Sequence, residues 1–117
     1  MRIEGIALLA LLSLLAVACG SSFPPPTDEW AAAQADVGRA QSGGAPGVPD
    51  AKLHLQLAEE DLQKSKDMMD KDNRRAASIV AVARVEAQLA LSIAKAQAAQ
   101  DQATQAQAQL AKAKGGQ

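Results

Sequence analysis

Cys19 is the only thiol in the 117-residue chain, and His54 is the only imidazole. A thiol can act as a nucleophile, a metal ligand, a disulfide partner or the acceptor of a covalent group. Nucleophilic work needs a base or cation beside it to form the thiolate, and the neighbouring residues supply none. Ligation of a metal needs further Cys or His at ligand spacing, and neither occurs. An internal disulfide needs a second cysteine. His54 stands alone one residue off an apolar stripe, which makes it a helix-boundary residue rather than a ligand or a general base. The acidic run Glu59, Glu60, Asp61 reads as a solvated helix face. There is no Gly-rich phosphate loop after a strand, no HExxH and no CxxC. The expectation is a protein that is not an enzyme and takes no metal or cofactor.

The setting of Cys19 is informative. Arg2 makes a positive start, weakened by Glu4. Ile6 to Leu15 is an apolar run interrupted by Ser13. The small residues Ala16 and Ala18 then lead into Cys19. This is the three-part layout of an export signal. The run is about a dozen residues, and a spanning helix needs about 20. An ordinary secretory signal cut near Ala18 would leave an unpaired thiol in an oxidising compartment, where free cysteines are a liability.

Ala16-Val17-Ala18-Cys19 resembles the lipobox of bacterial lipoproteins, with Ala16 in the position usually held by Leu. The resemblance implies cleavage between Ala18 and Cys19, a diacylglyceryl group on the Cys19 sulfur and an acyl group on its new amine. Two or more such chains hold a protein stably on a bilayer. Gly20 stands where Asp signals retention at the inner membrane. The resemblance therefore implies, for a bacterium with two membranes, an outer-membrane anchor with the body facing the periplasm.

About 99 residues follow the signal, enough for one small domain. The net charge of -1 gives no electrostatic support for nucleic-acid binding. With one Trp, one Phe and no Tyr, a large aromatic core is excluded, as are stacking platforms for bases. The abundance of Ala, Gln and Leu favours helix.

Residues 19–26 read as the lipidated cysteine and a tether. Pro24-Pro25-Pro26 favours a semi-rigid polyproline II spacer, and Phe23 either dips into the interface or is incidental. Thr27 is a helix N-cap candidate, with Asp28 and Glu29 suiting the dipole of the first turn. Trp30, Ala33, Val37 and Ala40 form one face, with Trp30 as its bulky core anchor. Gly43-Gly44, Pro46-Gly47 and Pro49 break the chain. Asp50 is the next cap candidate. Ala51, Leu55, Ala58, Leu62, Ser65 and Met69 step by three and four along a second helix, widened by Leu53 and Leu57. Glu60 and Lys64 are at spacing for an ion pair.

Asp70, Asp72 and Asn73 favour caps over helix interiors, so a turn there is preferred to one continuous rod. Arg74 and Arg75 would pair with Asp67, Asp70 or Asp72. In the third helix two sets recur at three- and four-residue spacing. One runs Val82, Val85, Leu89, Ser92, Ala96, Ala99, Ala103, Ala106, Leu110. The other runs Ala76, Val80, Ala83, Ala87, Ala90, Ala94. Read as neighbouring faces, they would let this helix pack on two partners at once. From about residue 97 to 114 the helix outruns the second one, and it either projects alone or pairs with another copy. Gly115-Gly116 ends it.

The expected fold is all-α: an antiparallel helical hairpin or three-helix arrangement with a long C-terminal helix, after a cleaved signal peptide. The expected organisation is a signal over 1–18, a lipidated tether over 19–26, a helical domain over 27–114 and a tail over 115–117. Its helices run about 27–42, 50–70 and 73–113.

Ala58, the capped turn at Asp72-Asn73 and the run from Ala83 to Ala90 carry a second likeness, covering about residues 30–97. Here the chain resembles the bacterial domain of unknown function DUF4398. That resemblance implies a short alanine-rich helical lipoprotein, of a kind sometimes followed by an OmpA-like peptidoglycan-binding domain, which this sequence does not show. It transfers no catalytic residues. Two functions follow as expectations. One is a membrane-anchored structural or adaptor module of the cell envelope, docking a partner protein through Trp30, Leu55, Leu62, Val82, Val85 and Leu89. The other is a self-associating coiled-coil spacer resembling the major murein lipoprotein. That lipoprotein ends in the lysine joined to peptidoglycan, whereas here Gly115-Gly116-Gln117 follow Lys114.

Overall fold

The computed structural model describes residues 22–116. Ala18 and Cys19, and with them the signal and the lipidation site, lie outside the described residues. Three α-helices follow in order: α1 (Thr27–Ser42), α2 (Pro49–Met68) and α3 (Asn73–Gly115). A short 3-10 turn, Ala45–Gly47, links the first two. The described residues are helical with no strand, as the composition requires.

Both expected N-caps move toward the N-terminus, by one residue in α1 and by two in α2, and proline is the reason. Pro26 (φ -80°) is the half-in residue before α1, and its carbonyl accepts the Trp30 amide at 3.0 Å. Thr27 is therefore inside the helix and caps nothing with its side chain. Val48 precedes α2 in extended backbone, and Pro49 opens the helix. Proline suits that first position because its φ is already helical and its missing N–H would have had no partner. Asp50 moves into the first turn, where its charge still complements the helix dipole. Between α1 and α2 the chain reverses at Gly44 (φ 94°), a left-handed conformation that costs a side chain but not glycine. Gly43 matters for space. A Cβ there would run into the Leu91 side chain and come within 2.8 Å of the Arg39 carbonyl oxygen.

The turn at residues 69–72 is present, so α2 and α3 form a hairpin rather than a rod. α2 stops at Met68, two residues before the expected end. Asp70 takes a left-handed φ of 68°, and its amide donates to Asn73 Oδ1 at 2.8 Å. The Met68 carbonyl accepts the amides of Lys71 and Asp72 at 3.1 and 2.9 Å. Asp72 caps α3, its carboxylate accepting the Arg75 amide at 3.0 Å. Arg74 and Arg75 form no ion pair with Asp67, Asp70 or Asp72 among the described residues. Nor is there a Glu60–Lys64 pair; exposed amides do the local pairing instead, Gln63 to Asp67 at 3.0 Å and Gln41 to Glu59 at 2.7 Å.

α3 is the central element, packed against both α1 and α2. The core joins Ala33, Val37 and Ala40 of α1 and Ala45 of the turn to Ala51, Leu55, Ala58 and Leu62 of α2. From α3 it takes Val80, Ala83, Ala87, Ala90 and Ala94. Ser65 is fully buried and donates its hydroxyl to the Ala76 carbonyl at 3.1 Å. Most of these side chains are alanines, which lets helix backbones approach closely. Leu53 and Leu57, expected to widen the apolar face of α2, are exposed at 55% and 39%. They sit one position or more off the stripe that faces α3.

The two sets on α3 are not neighbouring faces. At about 100° per residue they average roughly 170° apart. α1 and α2 both use the Ala76–Ala94 set, α1 from the side of Arg84 and Leu91, α2 from the side of Glu86. The Val82 set faces away from both, with Val82, Val85, Leu89 and Leu110 at 51%, 63%, 40% and 56% exposure. Burial ends at Ala94, and every residue from Lys95 to Gly116 is exposed. α3 is 43 residues long. At about 1.5 Å per residue it spans roughly 64 Å, of which about 30 Å extends past the last buried residue.

Two measurements check this architecture. Ala87→Leu, on the closest face, should lower unfolding free energy by about 1–3 kcal/mol through overpacking. Ala103→Leu on the projecting segment of the same helix should leave it within about 0.5 kcal/mol. Thermal melts by circular dichroism separate the two. In the turn, Asp70→Gly should stabilise the hairpin by about 0.5–1 kcal/mol, because the left-handed backbone then carries no Cβ penalty. The same melts should show the midpoint rising, and a fall would mean that the Asp70 side chain does unseen structural work.

Candidate functional site

Asp36 sits at the centre of a polar cluster between α1 and α3. It is 2% exposed, at helical spacing from Ala33 and Ala40, so α1 turns it toward α3 with the apolar stripe. Arg39, one turn on, donates to its Oδ1. Arg84 Nε donates to its Oδ2 at 3.1 Å and Gln88 Nε2 to the same oxygen at 3.3 Å. Both carboxylate oxygens are thus satisfied by cationic or amide donors on two helices. The guanidiniums reach solvent, with their side chains 61% and 42% exposed. The arrangement fixes the rotation of α3 against α1. Its three donors come from two helices, which makes it an alignment contact between α1 and α3. Sequence reasoning passed over Asp36 because an acid beside Val37 reads as wet face. Its spacing, three after Ala33 and four before Ala40, was the available signal.

On the α2 side, His54 Nδ1 lies 2.6 Å from Glu86 Oε2, both side chains about a quarter exposed. This bond ties α2 to α3 midway along their contact. It explains why the lone histidine stands at the edge of the stripe. Among the described residues no group of three or more His, Cys, Asp and Glu side chains could hold a metal ion.

The six residues expected to form one packing or docking face separate into two kinds. Leu55 and Leu62 are core, at 5% and 6% exposure. Trp30 is partly buried against that core, and its indole N–H donates to the Leu62 carbonyl at 3.1 Å. Lys66 Nζ lies 5.6 Å from the centre of its ring. These three therefore hold α1 to α2. Val82, Val85 and Leu89 lie on the opposite side of the molecule, open to solvent. Beside Val82 an open cleft of about 250 Å³ is lined by Asp61, Ser78, Ile79 and Val82. Small-molecule sites generally enclose about 300–1,000 Å³ around convergent polar groups, and this cleft is smaller and open.

The tether is docked at the turn end of the hairpin. Asn73 Nδ2 donates to the Phe23 carbonyl at 2.9 Å, and the Arg74 guanidinium lies 5.9 Å from the Phe23 ring centre. Phe23, half exposed, is thus placed beside the N-terminus of α3, and Arg74 uses its charge there. The long open end of α3 points the other way.

Among the described residues α3 is the one helix long and apolar enough, by length and composition, to cross a membrane, with a mean hydropathy of 1.5 over its most apolar 18 residues. The chain matches no family model, no curated protein sequence and no solved structure.

Removing the Asp36 carboxylate tests the alignment role. Asp36→Ala should cost about 1–3 kcal/mol, the loss of hydrogen bonds to charged donors at a buried acceptor. Arg39→Ala should cost less, since Arg84 and Gln88 remain. Urea unfolding curves for the three proteins give the order directly.

Proposed function

We propose that this protein is a lipid-anchored helical lipoprotein of the bacterial cell envelope, held on the outer membrane facing the periplasm, where it serves as a structural or adaptor module. One observation carries the reading. The tether leading back to Cys19 docks at the turn end of the hairpin, while α3 runs on beyond the hairpin in the opposite direction. Four peptide units separate Cys19 from Phe23. At no more than about 3.6 Å each, the anchor lies within roughly 14 Å of the docked ring. The hairpin then forms a base near the membrane, and the last twenty or so residues of α3 extend an open face away from it.

The anchor in this reading is lipid on Cys19, not α3. As a spanning segment, α3 would bring Arg84 and Glu86 into hydrocarbon, at about 2.5–3.5 kcal/mol for each charge at the centre. It would also break the ties of Arg84 to Asp36 and of Glu86 to His54. Within the hairpin both charges are partnered and the alanine face is already covered. The lipobox resemblance of residues 16–19 supplies the location.

The full chain, expressed in a two-membrane bacterium, tests this by fractionation with fatty-acid labelling. The wild type should carry label and stay with outer membranes after alkaline carbonate washing. Cys19→Ser should lose the label and appear in the soluble periplasmic fraction or as uncleaved precursor. Equal membrane retention of both proteins, without label on the wild type, would remove the lipid anchor.

A further inference from the structure

The open face of α3 keeps a heptad register from Val82 onward, including the half that no other described residue covers. Val82, Val85 and Leu89 begin it, Ser92 and alanines continue it, and Leu110 stands near its end, with steps of three and four throughout. A solitary solvated helix has no use for such a register. Beyond Ala94 the charged residues are Lys95, Asp101, Lys112 and Lys114, and none falls on it. Polar side chains, mostly glutamine, fill most of the remaining positions. An apolar stripe repeating every seven residues, bordered mostly by glutamine, is the seam of a coiled coil.

We infer that this seam pairs in parallel with the same seam of a second copy of the chain. This deepens the structural reading above and rests on its anchor for the parallel orientation. Three features favour a second copy over a foreign protein. First, parallel pairing sets each seam residue against itself, which repels wherever a seam carries charge, and this seam carries none. Second, the flanking positions that face each other across a parallel seam bring no like charges together. Lys95 meets Gln100 of the second copy, and Gln109 meets its Lys114. Third, the tether docks beside the N-terminus of α3, so two chains anchored in one membrane present their seams pointing the same way and in matching register. α1 and α2 lie on the far side of α3 and do not obstruct the approach.

The area is sufficient for association and no more. From Val82 to Ala113 the seam is about 46 Å long at 1.5 Å per residue and about 10 Å wide, the diameter of a helix. Two such strips total roughly 900 Å², at the lower edge of specific interfaces and in the range of transient ones. Alanine at most layers keeps the contact thin. Confinement to a membrane raises the effective concentration of one copy near another, so pairing belongs to the anchored protein and should be weak in dilute solution.

Cysteine scanning on the full chain in isolated bacterial membranes tests the inference. Ala99, Ala103, Ala106, Ala108 and Leu110 are replaced by cysteine one at a time, the Ala99→Cys and Ala103→Cys chains are also produced together, and after oxidation with copper phenanthroline the joined residues are identified by peptide mapping. A parallel seam brings each seam position within disulfide reach of its own copy. Self-linked dimers should form at Ala103→Cys, Ala106→Cys and Leu110→Cys at least tenfold more than at Ala108→Cys, which faces away. Flat yields, no dimers, or a maximum at Ala108→Cys would overturn the seam. So would cross-links that join the new cysteine mainly to a different protein. A link between Ala99→Cys and Ala103→Cys chains, with none at Leu110→Cys, would overturn the parallel orientation. Cys19 reports separately in the same maps. Linked or unmodified Cys19 beside seam-specific dimers would dismiss the anchor and leave the pairing standing. Acylated Cys19 with a flat scan would do the reverse.

Discussion

The close approach of three helices on one alanine face is the constraint from which the rest follows. Ala76, Ala83, Ala87, Ala90 and Ala94 are all but fully buried, with Val80 the one larger side chain among them. A face this shallow lets α1 and α2 sit side by side on the same third of α3. Larger residues there would hold one helix off and leave room for only one. Small side chains bury little area each, so the hairpin draws its specificity from elsewhere. Asp36 with its three donors and the His54–Glu86 bond set the rotation of α3, while Leu55, Leu62 and Trp30 supply the bulk that the alanines lack.

The same constraint decides what remains outside. With both partner helices on one face, the valines and leucines of the opposite face have no cover among the described residues. They are the largest exposed apolar side chains of α3, and they continue in register into a segment whose described residues are all exposed. A helix of this length held past its own domain by alanine propensity alone spends nothing on a core. It is a means of carrying a surface to a distance. The docked tether gives that distance a direction, since Phe23 and the projecting end of α3 lie at opposite ends of the helix.

Much of this was legible in the residues. The three helices, the preference for a turn over a rod at residues 70–73, and a cap at Asp72 or Asn73 follow from local chemistry, and the structure selects Asp72. Local reasoning failed in small ways at the starts of α1 and α2, where proline took the boundary from Thr27 and Asp50. It failed in a larger way on α3. The two apolar sets were separated correctly by spacing, but periodicity says only that each is a face. Which face the other helices choose depends on side-chain depth summed over three elements, and shallow alanines won over the more hydrophobic valines. Asp36 was missed for the same reason, because an acid reads as solvated until its donors on another helix are known.

By itself the sequence determined the helical class, the punctuation between helices, the excess length of α3 and the chemical isolation of Cys19. These rest on backbone propensity, proline and glycine geometry, and residue counts, all of which act within a few positions along the chain. Only the tertiary structure decided that α1 and α2 share one face, that Asp36 is buried between Arg39 and Arg84, that Phe23 lies against Asn73, and that Val82, Val85 and Leu89 look outward. Each of those depends on contacts between residues some tens of positions apart, where packing depth and charge pairing, not local preference, select among faces that the pattern alone leaves equal.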